Sequence, residues 1–180
     1  MFDIEDFFKD IDLMVEEDLT PENLLDILRR YSSNISVFEA STAINNFLKR
    51  TDHVQKSYMG VLKDIYVKNF ILRINEVKEN NIIRKEDIVE DEFLEAIQLL
   101  KNSVYQDQQL KNKDKFGLIY SIISLYTTYI LDEPIHPVGS EFPGHQYVKE
   151  VDGKITCPIK KNHTDNPISV CKFCIADEED

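Results

Sequence analysis

Apolar residues along the first 133 positions recur every three or four residues, the spacing of helices that each bury one face. Ile4, Phe7, Phe8, Ile11 and the Met14/Val15 pair mark a first helix. Thr20-Pro21 reads as an N-cap followed by proline at the first helical position, opening a second helix whose buried stripe is Leu24, Leu25, Ile27, Leu28 and Tyr31. Ser36-Val37-Phe38-Glu39 fits a capping box, and Ala40, Ile44, Phe47 and Leu48 continue its apolar face. A long helix is expected from about Asp52 to Val77, with Tyr58, Val61, Leu62, Ile65 and Leu72 turned inward. Asn80-Asn81 is its expected terminator, because asparagine tolerates left-handed geometry. A further helix is expected over about Glu86 to Val104, with Val89, Phe93, Ile97 and Leu100 as its stripe, followed by a polar loop from Asp107 to Asp114. The uncharged run Phe116 to Leu131 then reads as a helix at the centre of the core, with Tyr120, Tyr126 and Tyr129 as packing residues.

Beyond residue 133 the pattern changes. One of the six prolines and two of the five glycines precede that point, so regular helix gives way there to turns and loops. In this tail, residues 146–151 and 154–157 alternate around Asp152-Gly153, a dipeptide that supplies the positive φ angles of a tight hairpin turn. The expected fold is therefore mostly α: about six packed helices over residues 1–133, then a small loop-rich module with one β-hairpin over residues 134–176. The module is expected to pack on the helices as one compact unit, leaving residues 177–180 as an acidic, frayed tail.

Charge narrows the partners. The net charge of −12 is concentrated at the ends: residues 1–23 hold nine acids and one base, the last four residues are all acidic, and the stretch between holds 20 of each sign. Such ends could steer a basic protein partner, although a solvated helix face explains them as simply. Free nucleic acid is an unsuitable partner, because phosphate neutralisation needs a basic face. A membrane span is not expected, since the 16 uncharged residues Phe116 to Leu131 fall short of the ~20 that cross a bilayer and are interrupted by Gly117, Ser121, Ser124, Thr127 and Thr128. The acidic N-terminus carries no export signal, and three cysteines, an odd number, argue against a disulfide framework; both point to the reducing cytoplasm.

All three cysteines lie in the tail, as do three of the four histidines. Cys171-Lys172-Phe173-Cys174 is a Cys-x-x-Cys pair, and 13 residues separate it from Cys157, which ends the expected hairpin and precedes Pro158. Two cysteines at that spacing can bend around one ion, and the third resembles half of a zinc ribbon. A full ribbon would place a fourth cysteine near Lys160, so the remaining ligand must come from elsewhere. His136, held between Pro134 and Pro137, ranks first. His163, in a polar loop, follows, and His145 comes last, because a regular strand would send it to the face opposite Cys157. A water or a carboxylate could also complete the set. The predicted metal site is thus Cys157, Cys171, Cys174 and His136, with zinc as the expected cofactor and an iron–sulfur cluster as the alternative. Redox-active or inert buried thiols are the competing readings. His53 is expected to be solvated.

No phosphate-binding glycine loop, dinucleotide fingerprint, His-Glu-x-x-His helix or nucleophile elbow is present, so nothing in the sequence points to catalysis. The first functional reading is a binding or scaffold protein stabilised by metal. The second is a metalloenzyme or an iron–sulfur redox protein using the same cysteines.

Helices followed by Pro134-Ile135-His136-Pro137-Val138-Gly139, Phe142-Pro143-Gly144, Cys157-Pro158 and Cys171-Lys172-Phe173-Cys174-Ile175-Ala176 resemble an uncharacterised family of methanogenic archaea catalogued as a domain of unknown function. The resemblance spans nearly the whole chain, and its specific part is the last 45 or so residues. It implies that His136 and the three cysteines belong to the family pattern and that His145 and His163 do not. It implies no activity.

Overall fold

The computed structural model describes residues 3–49, 59–106 and 115–179. Helix α1 (Ile4–Glu17) is capped by Asp3, whose carboxylate accepts the amides of Glu5 and Asp6 at 3.0 and 2.9 Å. Helix α2 (Pro21–Ser33) opens with the expected Thr20 cap, whose hydroxyl accepts the Asn23 amide at 3.3 Å. Helix α3 (Val37–Lys49) has its capping box in place: the Ser36 amide donates to Glu39 Oε2 at 2.9 Å, and the Glu39 amide donates to Ser36 Oγ at 3.2 Å.

The next helical run differs from the sequence expectation. Its first residues, together with His53 and the loop from Asp107 to Asp114, lie outside the described residues. Helix α4 (Met59–Tyr66) passes through a π-helical turn, Val67–Leu72, into α5 (Arg73–Glu79). A π turn takes more residues per turn than an α-helix and so shifts the phase of the buried face. Leu72, expected inside, is 59% exposed, whereas Phe70, Ile74 and Val77 are buried. Asn80 does follow the last residue, but in an extended conformation (φ −72°, ψ 134°) rather than a left-handed one. Its side-chain amide donates to Ile82 O at 3.1 Å and to Tyr126 Oη at 2.6 Å, so a partner distant in sequence sets its geometry.

Helix α6 (Glu90–Gln106) starts four residues later than expected, which leaves Val89 outside the helix and 58% exposed. Helix α7 (Phe116–Tyr129) is buried at every position but Tyr120, and it meets α1, α2, α3 and α5 as the central helix of the core. No helix among the described residues is long and apolar enough to cross a membrane.

The tail contains two small sheets. Strands β1 (Glu141–Phe142) and β2 (Gln146–Tyr147) pair antiparallel, so Gln146 and Tyr147 do not extend the hairpin as expected. The hairpin itself is β3 (Lys149–Val151) and β4 (Lys154–Cys157), in the predicted register with Val151 opposite Lys154. Asp152 and Gly153 have φ angles of 52° and 76°. Strand β5 (Asp177–Glu178) runs parallel to β4, so this part of the acidic tail is paired rather than frayed. Two apolar clusters result. The large one joins α1, α2, α3, α5, α6, α7 and Phe70 of the π-helical turn to Ile135 and Val170, and the small one gathers Phe142, Val148, Cys157 and Ala176; Cys174 packs against both.

Candidate functional site

The tail begins where α7 ends. Glu133 donates its amide to Thr127 O at 2.8 Å, and its carboxylate meets Arg73 at 2.5 Å and Arg84 at 2.8 Å. This ion-pair cluster fixes the departure of the chain from the helical body, so that Pro134 and Ile135 turn back into it and are buried. The Ile135 amide donates to Cys174 Sγ at 3.4 Å. His136 follows, its ring edge-on to Phe142 with centroids 5.2 Å apart.

Cys157 arrives from the other direction, at the end of β4, and is 6% exposed. Cys171 sits in a single 3₁₀ turn, Val170–Lys172, whose cap is Ser169; the Ser169 hydroxyl accepts the Cys171 amide at 3.2 Å. The amides of Phe173 and Cys174 close this turn onto Val170 O at 3.2 and 3.1 Å. Cys171 and Cys174 therefore stand on one tight turn, as the two-residue spacing between them requires.

His136, Cys157, Cys171 and Cys174 line a single cavity of about 10 Å³, together with Lys160. That volume is roughly one water-sized particle. The walls are otherwise apolar, formed by Pro134, Ile135, Val170 and Ala176. As the side chains stand, no three His, Cys, Asp or Glu among the described residues form a group that could hold a metal ion. The four residues thus share a cavity without being gathered into a coordination shell.

The electrostatics of Cys157, Cys171 and His136 favour their neutral forms. Burial pushes the Cys157 and Cys171 thiols up, and neighbouring thiols add to the effect. Opposing forces favour the thiolates: the backbone amides of Ile159 and Lys160 act on Cys157, and the Ser169 hydroxyl and the Lys160 charge act on Cys171. Burial, and then the charge of His163, lowers His136 to about 4, so its imidazole is neutral at pH 7 and able to ligate.

The other histidines are placed differently. His163 is exposed at the end of the 3₁₀ turn Lys160–Asn162; its charge reaches His136, but it does not line the cavity. His145 has a φ of 56°, is exposed, and sets Nδ1 2.8 Å from Glu141 Oε1, away from the cysteines. Lys160 is the residue that sequence reasoning overlooked. It occupies the position where a full ribbon would carry its fourth cysteine, and its ammonium donates to Cys174 O at 2.9 Å and Ala176 O at 2.6 Å. Its place in the ribbon spacing was the available signal.

A larger groove, about 620 Å³, lies on the far side of the Cys-x-x-Cys turn. Its walls are Glu92, Glu95 and Leu99 from α6, Thr128 and Tyr129 from α7, and Phe173 to Ile175. Tyr129 stacks on Phe173 with centroids 6.3 Å apart, and the Lys85 ammonium lies 5.6 Å over the Tyr129 ring. Burial raises the Tyr129 hydroxyl, with the charges of Glu92 and Glu95 adding to the effect. Cys174 lines both the groove and the small cavity.

Comparison with known proteins gives a consistent grouping. A family model described as "Uncharacterized protein conserved in archaea (DUF2115)" matches residues 20–179. A UPF0305 protein of Methanothermobacter thermautotrophicus is 25% identical over 158 residues, covering 88% of this chain and 96% of the relative. One from Methanococcus maripaludis is 27% identical, with 82% and 90% covered. One from Methanopyrus kandleri is 35% identical over a shorter stretch, with 52% and 64% covered. No solved structure matches the chain.

Proposed function

The chain belongs to this archaeal family, and we propose that it is a metal-stabilised binding or scaffold protein whose tail is pinned to the helical body by a zinc ion. The observation that carries the reading is the shared cavity: one residue from the turn after α7, one from the end of β4, one from the 3₁₀ turn and one just beyond it reach the same small volume. Cys157, Cys171, Cys174 and His136 would hold the ion. Gathering them would require their side chains to turn toward one another within that cavity.

The chemistry of the surroundings suits such an ion. Amides directed at sulfur stabilise thiolates, and a bound cation would offset the burial that raises the Cys157 and Cys171 thiols. Three thiolates against a dication leave one excess negative charge, which the Lys160 ammonium in the same cavity would offset. A structural zinc contributes on the order of 10 kcal/mol or more to folding a segment of this kind. Reduced thiols of this sort belong in the cytoplasm, and the acidic α1 would favour a basic protein partner over free nucleic acid.

The groove supports a second reading. Cys174 belongs to both volumes, so a metal with an exchangeable fourth position would lie beside a cleft large enough for a small molecule. An iron–sulfur cluster on the same cysteines is the redox version of that reading. Anaerobic purification followed by elemental analysis and a visible spectrum distinguishes the cases. The scaffold reading expects a colourless protein with one zinc per chain. A brown protein containing iron supports the redox version, and metal-free protein that cannot take up added zinc overturns every metal-based reading.

A further inference from the structure

We propose that Ser124 positions the His136 imidazole through a water bridging the two residues, an inference that rests on the zinc reading above. Four hydroxyl residues of α7 are buried: Ser121, Ser124, Thr127 and Thr128. Ser121 and Thr127 satisfy themselves by donating to the carbonyls of Gly117 and Ile123, each at 2.9 Å. The hydroxyls of Ser124 and Thr128 do not: Thr128 lines the larger groove, whereas Ser124 is fully buried away from it, and neither has a hydrogen-bond partner among the described residues. A buried hydroxyl in this state calls for a ligand or an ordered water.

Ser124 faces the space where a water would be useful. It lines a chamber of about 90 Å³ whose other walls include Phe70 from the π-helical turn, Ile123 and His136. The chamber has room for water, and a water held there needs two or more polar partners. Ser124 supplies one and the imidazole a second. Ile135 and His136 are the residues common to this chamber and the cysteine-lined cavity, so the imidazole stands between the two.

That placement matches what a metal-bound histidine requires. One ring nitrogen takes the ion, and the other needs a fixed acceptor to set its tautomer and hold the ring. Among the described residues no protein group hydrogen-bonds the His136 ring, whose orientation is otherwise set by its edge contact with Phe142. The imidazole N–H donates to the water, and the water donates to Ser124 Oγ. The otherwise unpaired serine and the free ring nitrogen are thereby satisfied together.

The test uses the full chain and begins with the wild-type protein, so that a failure of the zinc reading is seen first as the absence of bound zinc. Zinc affinity is then measured by competition with a chromophoric chelator, and the visible spectrum is recorded after cobalt substitution, for Ser124→Thr, Ser124→Val and Ser121→Ala. Thr and Val share a shape and differ by the hydroxyl, so packing effects cancel between them. Ser124→Val should bind zinc roughly 10- to 100-fold more weakly than Ser124→Thr and shift the cobalt spectrum, with Ser121→Ala unchanged in both. Equal zinc affinities and identical cobalt spectra for the Thr and Val variants, in a chain whose wild type carries zinc, overturn the proposal.

Discussion

Glu39 carries two roles on one carboxylate, closing the capping box of α3 and accepting Lys115 Nζ at 2.9 Å. The Lys115 hydrogen bond first, and then the Ser36 amide and hydroxyl, hold its carboxyl down at about 2. A lowered folded-state value means the stabilisation is present at neutral pH and disappears as pH falls from about 4.5 through about 2. Glu39→Gln keeps an acceptor for the box and removes the charge. Its urea midpoint should therefore lie below wild type at pH 7, by a modest amount because the side chain is 41% exposed, and converge with it near pH 2. A constant gap across that range would show that the charge is not the cause. The box was legible in the sequence because both partners lie within four residues, whereas Lys115 was not, because it approaches from the start of α7. The same distinction applies at the tail. The cysteine spacing and the proline frame of His136 are local signals, but the orphaned hydroxyl of Ser124 and the carbonyls that hold Lys160 depend on folded neighbours.

Among the elements, those set by caps and turns were readable, and those set by tertiary pairing were not. The π-helical turn Val67–Leu72 has no marker of its own, yet it reverses the placement of Leu72. Strand β5 was expected to fray because it consists of acids; Lys154, 3.5 Å from Asp177, and Lys149, 2.9 Å from the adjoining Glu179, supply the missing partners from the hairpin. The hairpin is the opposite case, since Asp152 and Gly153 both take positive φ, the geometry that this dipeptide favours. A Cβ at Gly153 would meet nothing within 4 Å, so a substitution there tests backbone conformation alone. Gly153→Ala should cost about 1 kcal/mol through left-handed strain. The loss should appear as faster amide exchange in β3 and β4, with exchange in α7 unchanged. Unaltered protection across the hairpin would mean that the turn takes another form in solution.

At the scale of the whole molecule, two apolar clusters of unequal size are joined through few residues. The large one draws on six of the helices and the π-helical turn and can hold itself together, whereas the small one is built on Phe142, Val148, Cys157 and Ala176, with Ile155, Ile159 and Cys174 packed beside it. So few buried side chains offer little against the entropy of ordering more than 40 loop-rich residues. Other ties are hydrogen bonds and ion pairs near the surface, each worth little individually. A domain built this way opens in parts, and the tail is the part expected to open first. Under the proposed zinc reading, the ion couples the smaller cluster to the larger one, since Cys174 packs against both. Chelation should then make the segment 134–176 susceptible to protease while the helical body survives as a resistant fragment. Readdition of zinc should restore the intact digestion pattern, and Cys174→Ser should reproduce the chelated state with zinc present. A tail equally resistant before and after chelation would show that the small cluster, Lys160 and the paired β5 suffice without metal.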